Sequence, residues 1–115
     1  MSSKSNTGAG DAGGAFRFRV SDSLEVPLRG HLLRLRRLEG HPSMKDLKAG
    51  RRIRLQSPAG VAREVTILSH SETGGRATQR RLDRIGELDV IISRADAGEG
   101  ENRIGIGWTA GGPVA

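Results

Sequence analysis

Apolar residues in this chain recur at every second position in several short runs, and three of those runs alternate with arginine. They are Phe16-Arg17-Phe18-Arg19-Val20, Leu33-Arg34-Leu35-Arg36 and Arg52-Ile53-Arg54-Leu55. Successive side chains of a β-strand point to opposite faces, so each run predicts a strand with its apolar set inward and its arginines in solvent. Extending the pattern predicts strands over Phe16–Ser21, Gly30–Leu38, Arg51–Ser57, Val61–His70, Glu87–Arg94 and Arg103–Thr109. The spacing, with turn signals between the runs, favours an all-β barrel or sandwich over a βαβ design. Six strands suit a small closed barrel.

Local punctuation refines the plan. Pro58-Ala59-Gly60 supplies turn geometry and makes the third and fourth strands a hairpin. Adjacent Arg36 and Arg37 break the alternation of the second strand, where a β-bulge would return Leu38 to the inside. In the last strand Ile104, Ile106 and Trp108 form a bulky face, and Gly105 and Gly107 a bare one. Ser43 to Gly50 has an N-cap serine and a C-cap glycine, enough for one helical turn. Arg76 to Ile85 reads as a polar loop leading into the fifth strand, with a short amphipathic helix through Ala77, Leu82 and Ile85 as the alternative. Met1 to Gly14 has no large apolar residue after Met1 and is expected to be a disordered leader. Residues 15–109 make one domain, and residues 110–115 are expected to be a flexible tail.

Composition narrows the chemistry. The chain has no cysteine, which leaves no disulfide framework or thiolate metal site. No segment offers the roughly 20 apolar residues of a membrane helix, and no signal-peptide core precedes the first strand, so a cytoplasmic location is the expectation. The net charge is +6, and residues 1–54 hold twelve Lys or Arg against five acids, whereas residues 55–115 hold seven against eight. The basic excess therefore sits in the first half. Sixteen of the nineteen basic residues are arginine, a type suited to bidentate phosphate contact. His31, His41 and His70 show no metal-ligand spacing, and Ser69, His70 and Glu72 lack a nucleophile elbow. No enzyme chemistry and no cofactor are expected.

The order of these pieces resembles domain 2 of the translational GTPases, the β-barrel that follows the GTP-binding domain in elongation factor Tu and its relatives. The resemblance is carried by Phe18-Arg19-Val20-Ser21-Asp22-Ser23-Leu24, by Arg29-Gly30-His31-Leu32-Leu33, by Leu47-Lys48-Ala49-Gly50-Arg51-Arg52-Ile53-Arg54-Leu55, by Val61 to Leu68, and by Gly86-Glu87-Leu88-Asp89-Val90. Leu28 stands where that family commonly has glycine before the Arg-Gly pair, and Arg51 where it commonly has an acid. The resemblance implies a free-standing, six-stranded Greek-key barrel of the domain 2 type. It implies no GTPase, because a phosphate loop of the form G-x-x-x-x-G-K-[ST] is absent. In the family the Arg-Gly turn faces ribosomal RNA, so Arg29 and Gly30 carry over by resemblance.

With the alternating arginines added, the candidate RNA-binding set is Arg29, Gly30, Arg34, Arg36, Arg37, Arg52 and Arg54. The expected partner is RNA or the ribosome. The competing reading makes the arginines a solvated outer face paired in part with Glu39, Glu64 and Asp89, and the protein an interaction or assembly module that binds another protein or itself. Phe16, Phe18 and Trp108 all look inward, so RNA contact would be directed at phosphates and sensitive to salt. If Arg34 and Arg36 both face solvent, changing both to Gln should leave the stability nearly unchanged.

Overall fold

The structure, a computed structural model, describes residues 15–71 and 76–114; the expected leader lies outside the described residues. It is mainly β. Seven strands form one antiparallel sheet: β1 (Phe16–Val26), β2 (Gly30–Glu39), β3 (Arg52–Gln56), β4 (Ala62–Thr66), β5 (Ser69–His70), β6 (Glu87–Ile92) and β7 (Thr109–Gly112). The order across the sheet is β4-β3-β7-β1-β2-β6-β5. Two short helices, α1 (Gln79–Ile85) and α2 (Arg94–Ala97), each place one residue, Leu82 and Ala97, in the core.

The expectation of a closed six-stranded barrel is corrected here: there are seven strands, and no ladder joins the edge strands β4 and β5. The sheet is nevertheless strongly coiled. Laid flat, seven strands would hold the edges about 29 Å apart, yet only Ile67 and Leu68 separate β4 from β5, a reach of about 10 Å. The corner shows in consecutive hydrogen bonds. Ile67 N–H donates to Arg51 O at 2.9 Å, and Leu68 N–H donates to Ile91 O at 2.8 Å, on β6 near the other edge.

The alternating runs have the expected phase. Phe16, Phe18, Val20, Leu33, Leu35, Ile53 and Leu55 are buried in one cluster with Leu88, Val90 and Ile92, whereas Arg17, Arg19, Arg36, Arg52 and Arg54 are exposed. The hairpin at Pro58-Ala59-Gly60 forms, and Ser43 caps one 3₁₀ turn at Met44–Asp46.

Three expectations differ. The bulge in β2 exists, since Arg17 pairs with Glu39 and Phe18 with Arg37, leaving Leu38 as the extra residue. Leu38 nonetheless stays exposed, and Arg37 takes the inward position opposite Phe18. The last strand lies later than its pattern suggests: Gly107 adopts a left-handed φ of +96°, Ile106 is exposed, and Ala110–Gly112, expected in the tail, belong to β7 between β1 and β3. Finally, Gln79–Ile85 is helix and not loop. Thr78 Oγ1 accepts from Arg81 N, Gly86 closes the helix with φ +72°, and Leu82 is fully buried.

The edge strand β4 is covered by chain and not left open to pairing. Thr66 N–H donates to Asp96 Oδ2, and the guanidinium of Arg63 donates to the carbonyls of Asp96, Ala97 and Asn102 while lying 5.4 Å from the centre of the Trp108 ring. At the β1–β2 turn, Leu28 is fully exposed with φ +66°, the i+2 position of a turn closed by Arg29 N–H to Val26 O. That position favours glycine.

Candidate nucleic-acid interface

On the outer face of the sheet the register aligns residues of opposite charge. Arg34 stands between Asp22 on β1 and Asp89 on β6, Arg36 between Arg19 and Glu87, and Arg17 opposite Glu39. Ion pairs follow: Arg17 to Glu39 at 2.7 Å, Arg36 to Glu87 at 3.5 Å and Arg52 to Glu64 at 3.2 Å. Arg34 makes the strongest contact, a two-pronged one, with Nε to Asp89 Oδ1 at 2.9 Å and Nη2 to Oδ2 at 3.0 Å. The Asp89 side chain is only 7% exposed, and its hydrogen bond and charge hold the Arg34 guanidinium above the usual arginine range. Glu39, Glu64 and Asp89 are the acids expected to pair with a solvated outer face, and the Asp89 bond leaves the Arg34 side chain 34% exposed, less open to solvent than Arg36 or Arg52.

The seven candidate residues thus separate. Arg34, Arg36 and Arg52 are engaged by acids. Arg37 points inward and donates to the carbonyls of Leu82 and Asp83, the last turn of α1, where a cation also complements the helix dipole. Gly30 is required by packing, because a Cβ there would lie 2.3 Å from Ile92 O and its φ is +130°. Arg29 and Arg54 are exposed and have no ion pair among the described residues, but Arg29 sits at the β1–β2 turn and Arg54 lies in the row of Arg17 near the other end of β1. The fold does not gather the seven into one patch.

A different set does gather. Arg76, Arg80, Arg81 and Arg84, with Thr78 and Ile85, line a groove of about 450 Å³ along α1. Among the described residues none of these four arginines has an ion pair. Asp83, the acid of this helix, accepts from Gln79 Nε2 at 2.8 Å. Gln79 in turn ties the helix to the 3₁₀ turn: its Oε1 accepts from Met44 N and its Nε2 donates to Pro42 O. The helix is therefore docked by Leu82 and Gln79 and turns its arginines outward. The charge balance of the half-chain hid this set, because the acids of the strands and loops cancel it; a ten-residue window from Arg76 to Ile85 contains four arginines and one aspartate.

The histidines have structural partners. His70 Nε2 lies 2.8 Å from Leu47 O and so carries the proton. Ser23 Oγ donates to Ile104 O, which leaves it to accept from His31 Nε2 at 2.7 Å, so that nitrogen carries a proton. Burial pushes the His31 pKa below its ordinary value of 6.5, and nearby Arg103 adds to the shift. Among the described residues no three His, Asp or Glu side chains come together as metal ligands, and no helix is long and apolar enough to cross a membrane. Compared with protein-family models, curated proteins and solved structures, the chain has no match.

Proposed function

We propose that this chain is a non-enzymatic RNA-binding module, resembling translation-factor domain 2 in the order of its sequence motifs, that holds the phosphate backbone of RNA on the groove along α1. What carries the reading is the set of four arginines, Arg76, Arg80, Arg81 and Arg84, on one groove with no ion pair among the described residues. Exposed guanidinium groups kept apart from carboxylates retain their full attraction for phosphate. The outer face of the sheet is the weaker candidate, because much of its charge is already neutralised across the ladders.

A second reading, a protein-interaction module, is favoured by Leu28, an apolar side chain fully exposed at a turn in a conformation that disfavours it. One experiment separates the two. RNA affinity is measured for a single-stranded oligomer from about 50 mM salt upward; four phosphate contacts give a slope of about −3 in log K against log salt. Changing Arg76, Arg80, Arg81 and Arg84 to Gln should remove most of that slope. No binding even near 50 mM salt would sink the RNA reading, and a mass that rises with concentration in light scattering would then support self-assembly.

A further inference from the structure

In one row across the outer face the side chains are long except at its middle. The register sets Glu64 opposite Arg54, Arg54 opposite Gly111, Gly111 opposite Arg17 and Arg17 opposite Glu39. Gly111 leaves this row bare in the middle and lines a groove of about 450 Å³ with its neighbours Arg17 and Arg54, with Gln56, Glu64 and Thr109, and with Pro113 and Val114 of the following chain.

The two glycines that end β7 differ in what the fold asks of them. At Gly112 a Cβ would fall 2.6 Å from the buried Phe16 ring, so any side chain there would have to displace that ring. At Gly111 the nearest atom to a Cβ is Phe16 O at 3.6 Å, an ordinary contact, and its φ is not in the left-handed region. Nothing in the fold requires glycine there. The ladders on both sides run through Gly111 without a register shift, so no bulge accounts for it, and close approach by another molecule is among the uses of a glycine inside a sheet.

The walls define what approaches. Arg54 and Arg17 stand two strand spacings apart, about 9.6 Å at the backbone, and a flat ring in van der Waals contact with both sides needs about 7–8 Å. Glu39 holds Arg17 Nε from outside the groove, and Arg52 occupies Glu64, leaving Arg54 without an ion pair among the described residues. Glu64 in the lining repels a phosphate but accepts from an amino group, and Gln56 and Thr109 offer both donors and acceptors. With no exposed aromatic ring on the chain to stack upon, guanidinium planes are the available stacking surface.

We propose that this slot takes one unstacked nucleobase of a bound RNA strand, sandwiched between Arg17 and Arg54 over Gly111, an assignment that rests on the RNA-binding reading above. The test compares an oligoadenylate with an abasic strand of the same length, for the wild type and for Gly111→Val. The wild type should prefer the strand with bases by about five- to a hundredfold. Gly111→Val should lose that preference while keeping its abasic affinity and its melting temperature, because the valine fills the slot and leaves α1 untouched. Arg54→Ser, at an exposed position, removes one wall and should give the same loss even if valine disturbs β7. Equal binding of both strands by the wild type, or an unchanged preference in Gly111→Val and Arg54→Ser, overturns the slot and leaves the α1 groove standing. Failure of the wild type to bind either strand at low salt overturns both.

Discussion

The outer face of the sheet and the α1 segment are both rich in arginine, yet they use it in opposite ways. On the sheet, the cross-strand register places Glu39, Asp89, Glu87 and Glu64 within reach of Arg17, Arg34, Arg36 and Arg52. On α1 the acid, Asp83, is taken by Gln79, and the four arginines of the segment keep their charge unpaired among the described residues. The difference teaches that arginine density is a poor guide to a binding surface. What matters is where the acids fall after folding, and in a sheet that depends on residues tens of positions away.

The largest effect expected from this contrast is on stability. Arg34→Gln leaves Asp89 nearly buried and without its two-pronged partner, and should cost about 1–3 kcal/mol, below the 3–5 kcal/mol of a fully buried broken pair because water reaches the Arg34 side. Chemical denaturation measures it. Adding Asp89→Asn should recover part of the loss, and strictly additive costs would show that the pair is not coupled.

Acidification should separate the sheet from the helix more gently. The His31 pKa is lowered in the folded state, so the neutral form contributes stability in full above about pH 6.5, and that contribution is lost as pH falls below 6.5 toward the folded value. The denaturation midpoint should therefore drop between pH 7.5 and 5.5, and His31→Gln should flatten the drop. RNA affinity through the α1 arginines, which do not titrate in this range, should stay constant between pH 6.5 and 7.5.

The smallest effect is expected on the helix itself. Arg80→Gln and Arg84→Gln, both exposed, should each change stability by less than about 0.5 kcal/mol while weakening RNA binding. A loss above about 1 kcal/mol at either position would mean that these arginines hold α1 in place, and the contrast with Arg34 would collapse.

Strands were legible in the sequence wherever period-two alternation was strong, as in Phe16–Val20 and Ile53–Leu55, because inward and outward positions differ there in both size and charge. The position of β7 was not, since the bulky alternation of Ile104, Ile106 and Trp108 precedes the strand and the strand itself is Thr-Ala-Gly-Gly, with almost no side chain to read. The acids Glu39, Glu64 and Asp89 were legible as partners of the alternating arginines, but which arginine each one takes was not: Asp89 and Arg34 are 55 residues apart, and only the β2–β6 register brings them together. The helix at Gln79–Ile85 was only the alternative reading of Arg76–Ile85, because seven residues with one buried leucine carry too weak a period to outweigh the surrounding polar sequence.

The corner at Ile67-Leu68 has a consequence for how the chain reaches this state. Two residues tie together strands that bound the sheet on opposite sides, so the position of one edge constrains that of the other. The β3–β4 hairpin is local, but β5 is held by β6 and β6 by β2, so bringing the two edges to this corner depends on pairing across long stretches of chain. Folding should then be slow for a chain of this length, as non-local pairing demands, and unfolding should begin with both edges releasing at once. New chain ends made at this corner by circular permutation would uncouple the edges, turning one cooperative closure into two independent fraying ends.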